Sequence, residues 1–251
     1  MLFAIRREPA TIKRSLWVGR EGMEQNLSFT IFAGGRERRE TVTIRHAVIA
    51  GWTGRDQVAL EKHIRELEEL GVARPATTPI FYRVAATRLT TATNIEAAGT
   101  ESSGEVEYVL VQHRGALYVG VGSDHTDRKV ETYNVTVSKQ MCEKPMAAAL
   151  WLFDDVKAHW DKLILRSWAS GQGARVLYQE GSVAAMRPPE ELIERYAGSR
   201  ELADGTVMFC GTLAAKGGIR PAPRFEFELE DPVRGLRLLH GYDIVTLPVV
   251  G

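Results

Sequence analysis

The stretch EVEYVLVQHRGALYVGVG, residues 105–122, decides the fold. Two runs dense in Val, Leu and Tyr flank His113-Arg114-Gly115, the composition of two strands around a tight turn. The next run, KVETYNVTVS at 129–138, is equally rich in β-branched residues and extends the reading to an antiparallel meander. Upstream, LSFTIFA (27–33) and TVTIRHAVIA (41–50), joined by the charged GGRERRE, read as a hairpin. Downstream, residues 163–168, 174–179, 205–210, 224–230 and 236–247 read as further strands. Helices are fewer. Leu60, Ile64 and Leu67 fall at i, i+4 and i+7 and predict a helix over 56–70 that ends at Gly71. Segments 147–160 and 188–197 are also helical by pattern, and Pro75 and Pro79 keep the chain extended ahead of a short strand at 81–84. The fold class is mostly β (α+β), with a small N-terminal β-α portion leading in.

The chain has 251 residues, of which 44% are hydrophobic and 25% charged, which fits a sizeable core and excludes a disordered or disulfide-stapled chain. Lys plus Arg and Asp plus Glu number 32 each, so the broad basic field of a nucleic-acid or membrane-surface binder is absent, and a small molecule is the expected partner. Cys142 and Cys210 have no disulfide or zinc spacing and read as the reduced thiols of a cytoplasmic protein. No apolar run approaches the roughly 18 residues of a membrane span. Residues 1–26 read as a disordered N-terminal extension, with Met23 as an alternative start, and residues 27–251 as one domain.

Nucleophile elbows, Walker loops, dinucleotide fingerprints and H-E-x-x-H helices are all missing from the sequence. Glu105-Val106-Glu107 is the most informative feature that remains. On a strand, residues i and i+2 share a face, so the two carboxylates converge while Val106 packs on the other side. Asp124, at the end of the next strand, is the natural third member of a site for a hard divalent ion. The same E-x-E pattern also suits a strand whose polar face is simply solvated. On the helix, His63 and Glu66 stand at i, i+3, as do the partners of a dyad, while Lys62 and Glu66 at i, i+4 make an ordinary surface pair.

The arrangement resembles the fumarylacetoacetate hydrolase superfamily, in which an E-x-E strand and a later Asp surround Mg²⁺ or Mn²⁺. KHIREL at 62–67 is similar to the H-x-x-E of that superfamily's lid helix, and SDHTDR at 123–128 to its N-D-x-S-x-R-D knot. Lys139 in Ser138-Lys139-Gln140 stands where the family has a catalytic lysine, and GTVMFCGTL at 205–213 is similar to its G-T-P loop. The correspondence runs in order over about residues 41–248. The strings GWTGRD, GSDHTDR and CGTLAAKGGIRPAPRFE are more similar still to a bacterial family of uncharacterised domains. Two departures stand out: Asp124 comes only 17 positions after Glu107, and Leu213 replaces the proline of the G-T-P loop.

The resemblance implies a fumarylacetoacetate-hydrolase-like β-roll with a lid helix. It implies Glu105, Glu107 and Asp124 as ligands of Mg²⁺ or Mn²⁺, and His63, Glu66 and Lys139 as catalytic residues. Arg83, Arg128, Gly211 and Thr212 become substrate-binding residues. The implied activity is hydrolysis of a carbon–carbon bond in, or decarboxylation of, a small 2-oxo or 2,4-dioxo acid by a cytoplasmic homodimer. An isomerase or hydratase of the same fold, or a non-catalytic small-molecule binder, is the alternative.

Overall fold

The computed structural model describes residues 23–69, 74–171 and 173–250. Most of the expected extension over 1–26 therefore lies outside the described residues, and so do the side chains of His63, Glu66 and Leu67.

Strands β1 (Gln25–Ala33) and β2 (Arg36–Ile44) form a hairpin around Gly34-Gly35. It begins two residues before the expected strand and absorbs the charged GGRERRE run, whose side chains stand on an exposed edge strand. The expected single strand 41–50 is broken at Arg45, because β3 (His46–Gly51) leaves β2 to pair with other strands. Helix α1 (Gln57–Glu69) starts where Asp56 Oδ1 accepts the N–H groups of Val58 and Ala59 at 2.9 and 3.1 Å, an N-cap satisfying two otherwise free donors. Strand β4 (Ile80–Val84) pairs with β3, and β5 (Asn94–Ala98) lies farther along. The deciding stretch forms β6 (Val106–His113) and β7 (Ala116–Ser123), paired antiparallel over their full length.

The third strand of the expected meander does not form. Asp127 Oδ1 accepts from Val130 N–H at 2.8 Å, and Asn134 Oδ1 from Val137 N–H at 2.9 Å. These caps start a helical turn at Arg128–Glu131 and then helix α2 (Val135–Met141), overriding the weaker β preference of Val and Thr. The expected helix at 147–160 is instead β8 (Ala149–Leu152) followed by two 3₁₀ segments. Then come β9 (Ile164–Gly171), β10 (Ala174–Ser182), α3 (Pro189–Ala197), β11 (Thr206–Thr212), β12 (Arg224–Asp231) and β13 (Leu236–Leu247).

Eight strands make one sheet in the order β2-β1-β8-β7-β6-β11-β3-β4, and five make a second, β10-β9-β12-β13-β5. Val42 from one edge strand and Tyr82 and Val84 from the other share an apolar cluster with Phe29, Ile49, Val109, Val111, Leu150 and Phe209. The larger sheet curls on itself, bringing Gln25 Nε2 of β1 to 3.1 Å from the carbonyl of Leu89, which follows β4, and this cluster fills the inside of the roll. The opposite side chains, Val106, Tyr108, Leu110 and Val121, pack against Leu165, Phe225, Phe227 and Tyr242 of the second sheet. All eight residues of β6 are buried, since both of its faces are covered. No helix among the described residues is long and apolar enough to cross a membrane.

Candidate metal centre

Glu107 follows Val106 at the start of β6 and faces the inside of the roll with Val109 and Val111, while Val106 turns into the core between the sheets. Glu105 immediately precedes β6 and Asp124 immediately follows β7. Their backbones are joined, because Asp124 N–H donates to the Glu105 carbonyl at 2.9 Å and Glu105 N–H to Ser123 Oγ at 3.2 Å. Gly122 lies opposite Glu107, and a Cβ there would stand 2.6 Å from Phe209 Cε1. The outcome is a cluster in which one carboxylate oxygen each of Glu105, Glu107 and Asp124 lies within 4.8 Å of the others.

Lys139 Nζ donates to Asp124 Oδ2 at 2.5 Å and stands 3.8 Å from Glu105 Oε2. It reaches the site only because 135–141 is a helix rather than a strand. A second lysine, which the sequence did not single out, completes the cage: Lys144, fully buried, lies 3.0 Å from Asp124 Oδ1 and donates to the His125 carbonyl at 2.6 Å. It sits on a two-residue bridge, Lys144–Pro145 beside Leu89 and Thr90, which carries no periodic signal. Burial pushes the Asp124 carboxyl up, but the two ammonium groups outweigh it and hold the group at about 2. Glu107 behaves oppositely. Burial, and then the charges of Asp124 and Glu105, push its carboxyl well above the usual range, against the weaker pull of Lys139 and the Gly211 N–H.

The structure gives each of the four expected substrate-binding residues a partner of its own. Arg83 follows Tyr82 on β4, so the two point to opposite faces; Tyr82 turns its ring to 6.0 Å from Lys139 Nζ, and Arg83 meets His46 Nδ1 and Tyr196 Oη at 3.1 and 3.3 Å instead. Arg128 does reach the cluster, 3.2 Å from Glu105 Oε1. Its guanidinium also donates to Glu131 at 2.8 Å and Ser103 Oγ at 2.7 Å, so it positions Glu105. A register shift in β11 between Phe209 and Thr212 re-aims the Gly211 N–H onto Glu107 Oε2 at 2.7 Å. Gly211 has φ 97°, and a Cβ there would fall 1.8 Å from Thr53 Oγ1, so glycine is required. Thr212 Oγ1 donates to the Val106 carbonyl at 2.8 Å and accepts from Gln179 at 2.7 Å, which locks it in the framework. His125 is turned into the core between Tyr242 Oη and Ser102 Oγ, each at 2.9 Å; burial drops its imidazole to about 3, so it stays neutral and is no proton acceptor for the site. His63 and Glu66 lie on α1, with side chains outside the described residues.

Three carboxylates form an all-oxygen, hard donor set, and burial, followed by the charge of Asp124, keeps Glu107 above the ordinary carboxyl range. The set fits a divalent cation. A carboxyl raised in the folded state costs stability once pH rises through its folded value, and that cost is absent below the unfolded value. Glu107→Gln removes it while keeping an oxygen for the Gly211 N–H. The metal-free variant is therefore expected to melt several degrees higher than the wild type at pH 7–8, with the gap closing towards pH 4. Thermal melts in chelator over that range check this.

The sequence matches the model of a family described as "Protein of unknown function (DUF2848)" over residues 50–242. No curated protein matches it. Among solved structures the chain is similar to Cg1458 with inhibitor, with a TM-score of 0.60 and 18% identity over 85% of this chain and 84% of that one. It is also similar to 2-keto-3-deoxy-D-arabinonate dehydratase complexed with magnesium and 2,5-dioxopentanoate (0.55, 16% identity, 81% and 73%). A third is 4-oxalocrotonate decarboxylase from Pseudomonas putida G7 complexed with calcium and acetate (0.50, 14%, 79% and 77%). At these identities the likeness is one of fold, and the fold is fumarylacetoacetate-hydrolase-like.

Proposed function

The chain belongs to the DUF2848 family, and from its site we propose that it is a divalent-metal-dependent enzyme acting on a small 2-oxo or 2,4-dioxo acid, hydrolysing a carbon–carbon bond or releasing CO₂. The observation that carries this reading is the cluster of half-buried Glu105 with buried Glu107 and Asp124, and the ammonium groups beside it. The two similar enzymes solved with magnesium or calcium support it, one of them holding a dioxo compound.

Glu105, Glu107 and Asp124 hold the Mg²⁺ or Mn²⁺, with Arg128 fixing Glu105, the Gly211 N–H fixing Glu107 and Lys144 fixing Asp124. The bound ion supplies Lewis acidity for the negative charge that develops on the substrate oxygens during bond cleavage. Three carboxylates against Lys139, Lys144 and Arg128 leave the centre near neutral, so a divalent ion gives it an excess positive charge suited to an anionic substrate. Lys139, beside Asp124 and Glu105, steadies the substrate's charge. His63, positioned by Glu66, takes the proton from the water that attacks the remote carbonyl. The dehydratase neighbour favours a second reading, in which the same base removes a substrate proton and water leaves. Acylpyruvates, oxaloacetate and 2-oxo-3-deoxy sugar acids assayed in parallel separate the two.

Chelator-stripped protein is expected to take up one Mg²⁺ or Mn²⁺ at millimolar concentration or below in calorimetry, and Glu107→Ala to take up none. No uptake by the wild type sinks the metal reading, whereas equal uptake by Glu107→Ala sinks only the ligand assignment.

A further inference from the structure

Both oxygens of Asp124 are occupied by ammonium groups: Oδ1 lies 3.0 Å from Lys144 Nζ and Oδ2 2.5 Å from Lys139 Nζ. A hard cation bound by this carboxylate needs one of those oxygens. Lys144 is not free to leave. It is fully buried, its ammonium also donates to the His125 carbonyl at 2.6 Å, and its backbone is paired to Leu89. Lys139 is buried as well, at 6% exposure, but differs on the other two counts. Its hydrogen bond is to Asp124 alone, with Glu105 at 3.8 Å, and it rides on a seven-residue helix whose Val137 and Gln140 are exposed. It also has a long, flexible stem, and its ammonium is already poised over the Tyr82 ring at 6.0 Å.

We propose that Lys139 is an exchangeable internal counter-ion. It holds Asp124 and Glu105 together in the metal-free protein and releases Asp124 Oδ2 as a divalent cation enters, which turns its ammonium to an anionic substrate. The inference rests on the reading of the three carboxylates as a metal centre. Two consequences follow from the charges. Lys139 competes with the ion, so the centre binds metal more weakly than its carboxylates alone allow. Because the displaced ammonium remains nearby, metal and a small anion bind cooperatively, each favouring the other to the same extent.

Calorimetry on chelator-stripped wild type, Lys139→Gln and Lys139→Arg, with MgCl₂ or MnCl₂ and then oxalate on the loaded proteins, tests this. Lys139→Gln is expected to bind metal about tenfold or more tightly than the wild type and, once loaded, to bind oxalate about tenfold or more weakly. Lys139→Arg keeps the charge and stays within about threefold of wild type in both measurements. Melting temperature gives an independent readout, the rise on adding metal being larger in Lys139→Gln than in wild type. Unchanged or weaker metal binding by Lys139→Gln, with the wild type still binding, overturns the counter-ion role and leaves the metal centre standing. A Lys139→Gln that stays unfolded even with metal also overturns it, because a counter-ion that leaves on loading is dispensable once the ion is in. No metal uptake by any of the three proteins removes the metal centre itself, and the exchange with it.

Discussion

Asp124→Asn is expected to be the most damaging single substitution in the centre, lowering stability by about 3–5 kcal/mol, or roughly 6–20 °C in melting temperature for a domain of this size. The side chain is fully buried and holds two buried ammonium groups at 2.5 and 3.0 Å. Asparagine retains one acceptor and no charge, so the only anion left beside Lys139 is Glu105 at 3.8 Å, and Lys144 has only neutral acceptors such as the His125 carbonyl. Leaving buried charges without a partner costs far more than an exposed ion pair is worth. The effect has a defined pH window. Asp124 is held at about 2 against an ordinary 3.8, so its contribution is complete above the unfolded value and disappears as pH falls through the folded one. The gap between wild type and Asp124→Asn should therefore be flat from pH 5 to 8 and shrink below about pH 4. Glu107→Gln, a chemically identical change within 4.8 Å, is expected to move stability the other way. Should both substitutions destabilise alike in chelator, the opposite electrostatics assigned to the two carboxylates are wrong.

His63→Ala is expected to carry the largest kinetic effect, a loss of about 10²–10⁴ in kcat, the usual worth of a positioned general base. Metal affinity should be unchanged, because Glu105, Glu107 and Asp124 lie at one end of the β6–β7 hairpin and His63 on α1. Oxalate should bind both proteins equally, since it needs the cation and not the base. The acidic limb of the pH–rate profile should vanish along with the rate. Full activity of His63→Ala on whichever oxo acid is turned over removes the dyad and favours a decarboxylase that needs the ion alone.

The hairpin 105–122 was legible because alternation and the Arg114-Gly115 turn agree locally with its global placement. The carboxylate cluster was legible for the same reason: strand periodicity alone brings Glu105, Glu107 and Asp124 to one end of one hairpin. What was hidden depends on contacts distant in sequence. The strand expected at 129–138 is helical because two short acceptors, Asp127 and Asn134, cap it, a stronger local signal than its valines and threonines. The face of β4 that turns inward is chosen by the curl of the sheet, so alternation offers Tyr82 and Arg83 equally. Gly211 and Thr212 offer donors in the sequence, but the irregularity in β11 gives those donors to Glu107 and Val106. Lys144 had no local signature at all.

The strand pairing around β11 also constrains the order of events during synthesis. Glu107 receives its N–H bond from a residue 104 positions later, and β11 links β6 to β3 within the larger sheet, pairing Thr206 with His46. A chain emerging residue by residue from the ribosome carries all three acidic groups well before it carries Gly211. Pairings so far apart in sequence close late, after nearer ones have formed. The nascent chain thus exposes its acidic triplet without the backbone donor that fixes the middle member, and the three carboxylates reach their final arrangement only after the chain has been made past Gly211.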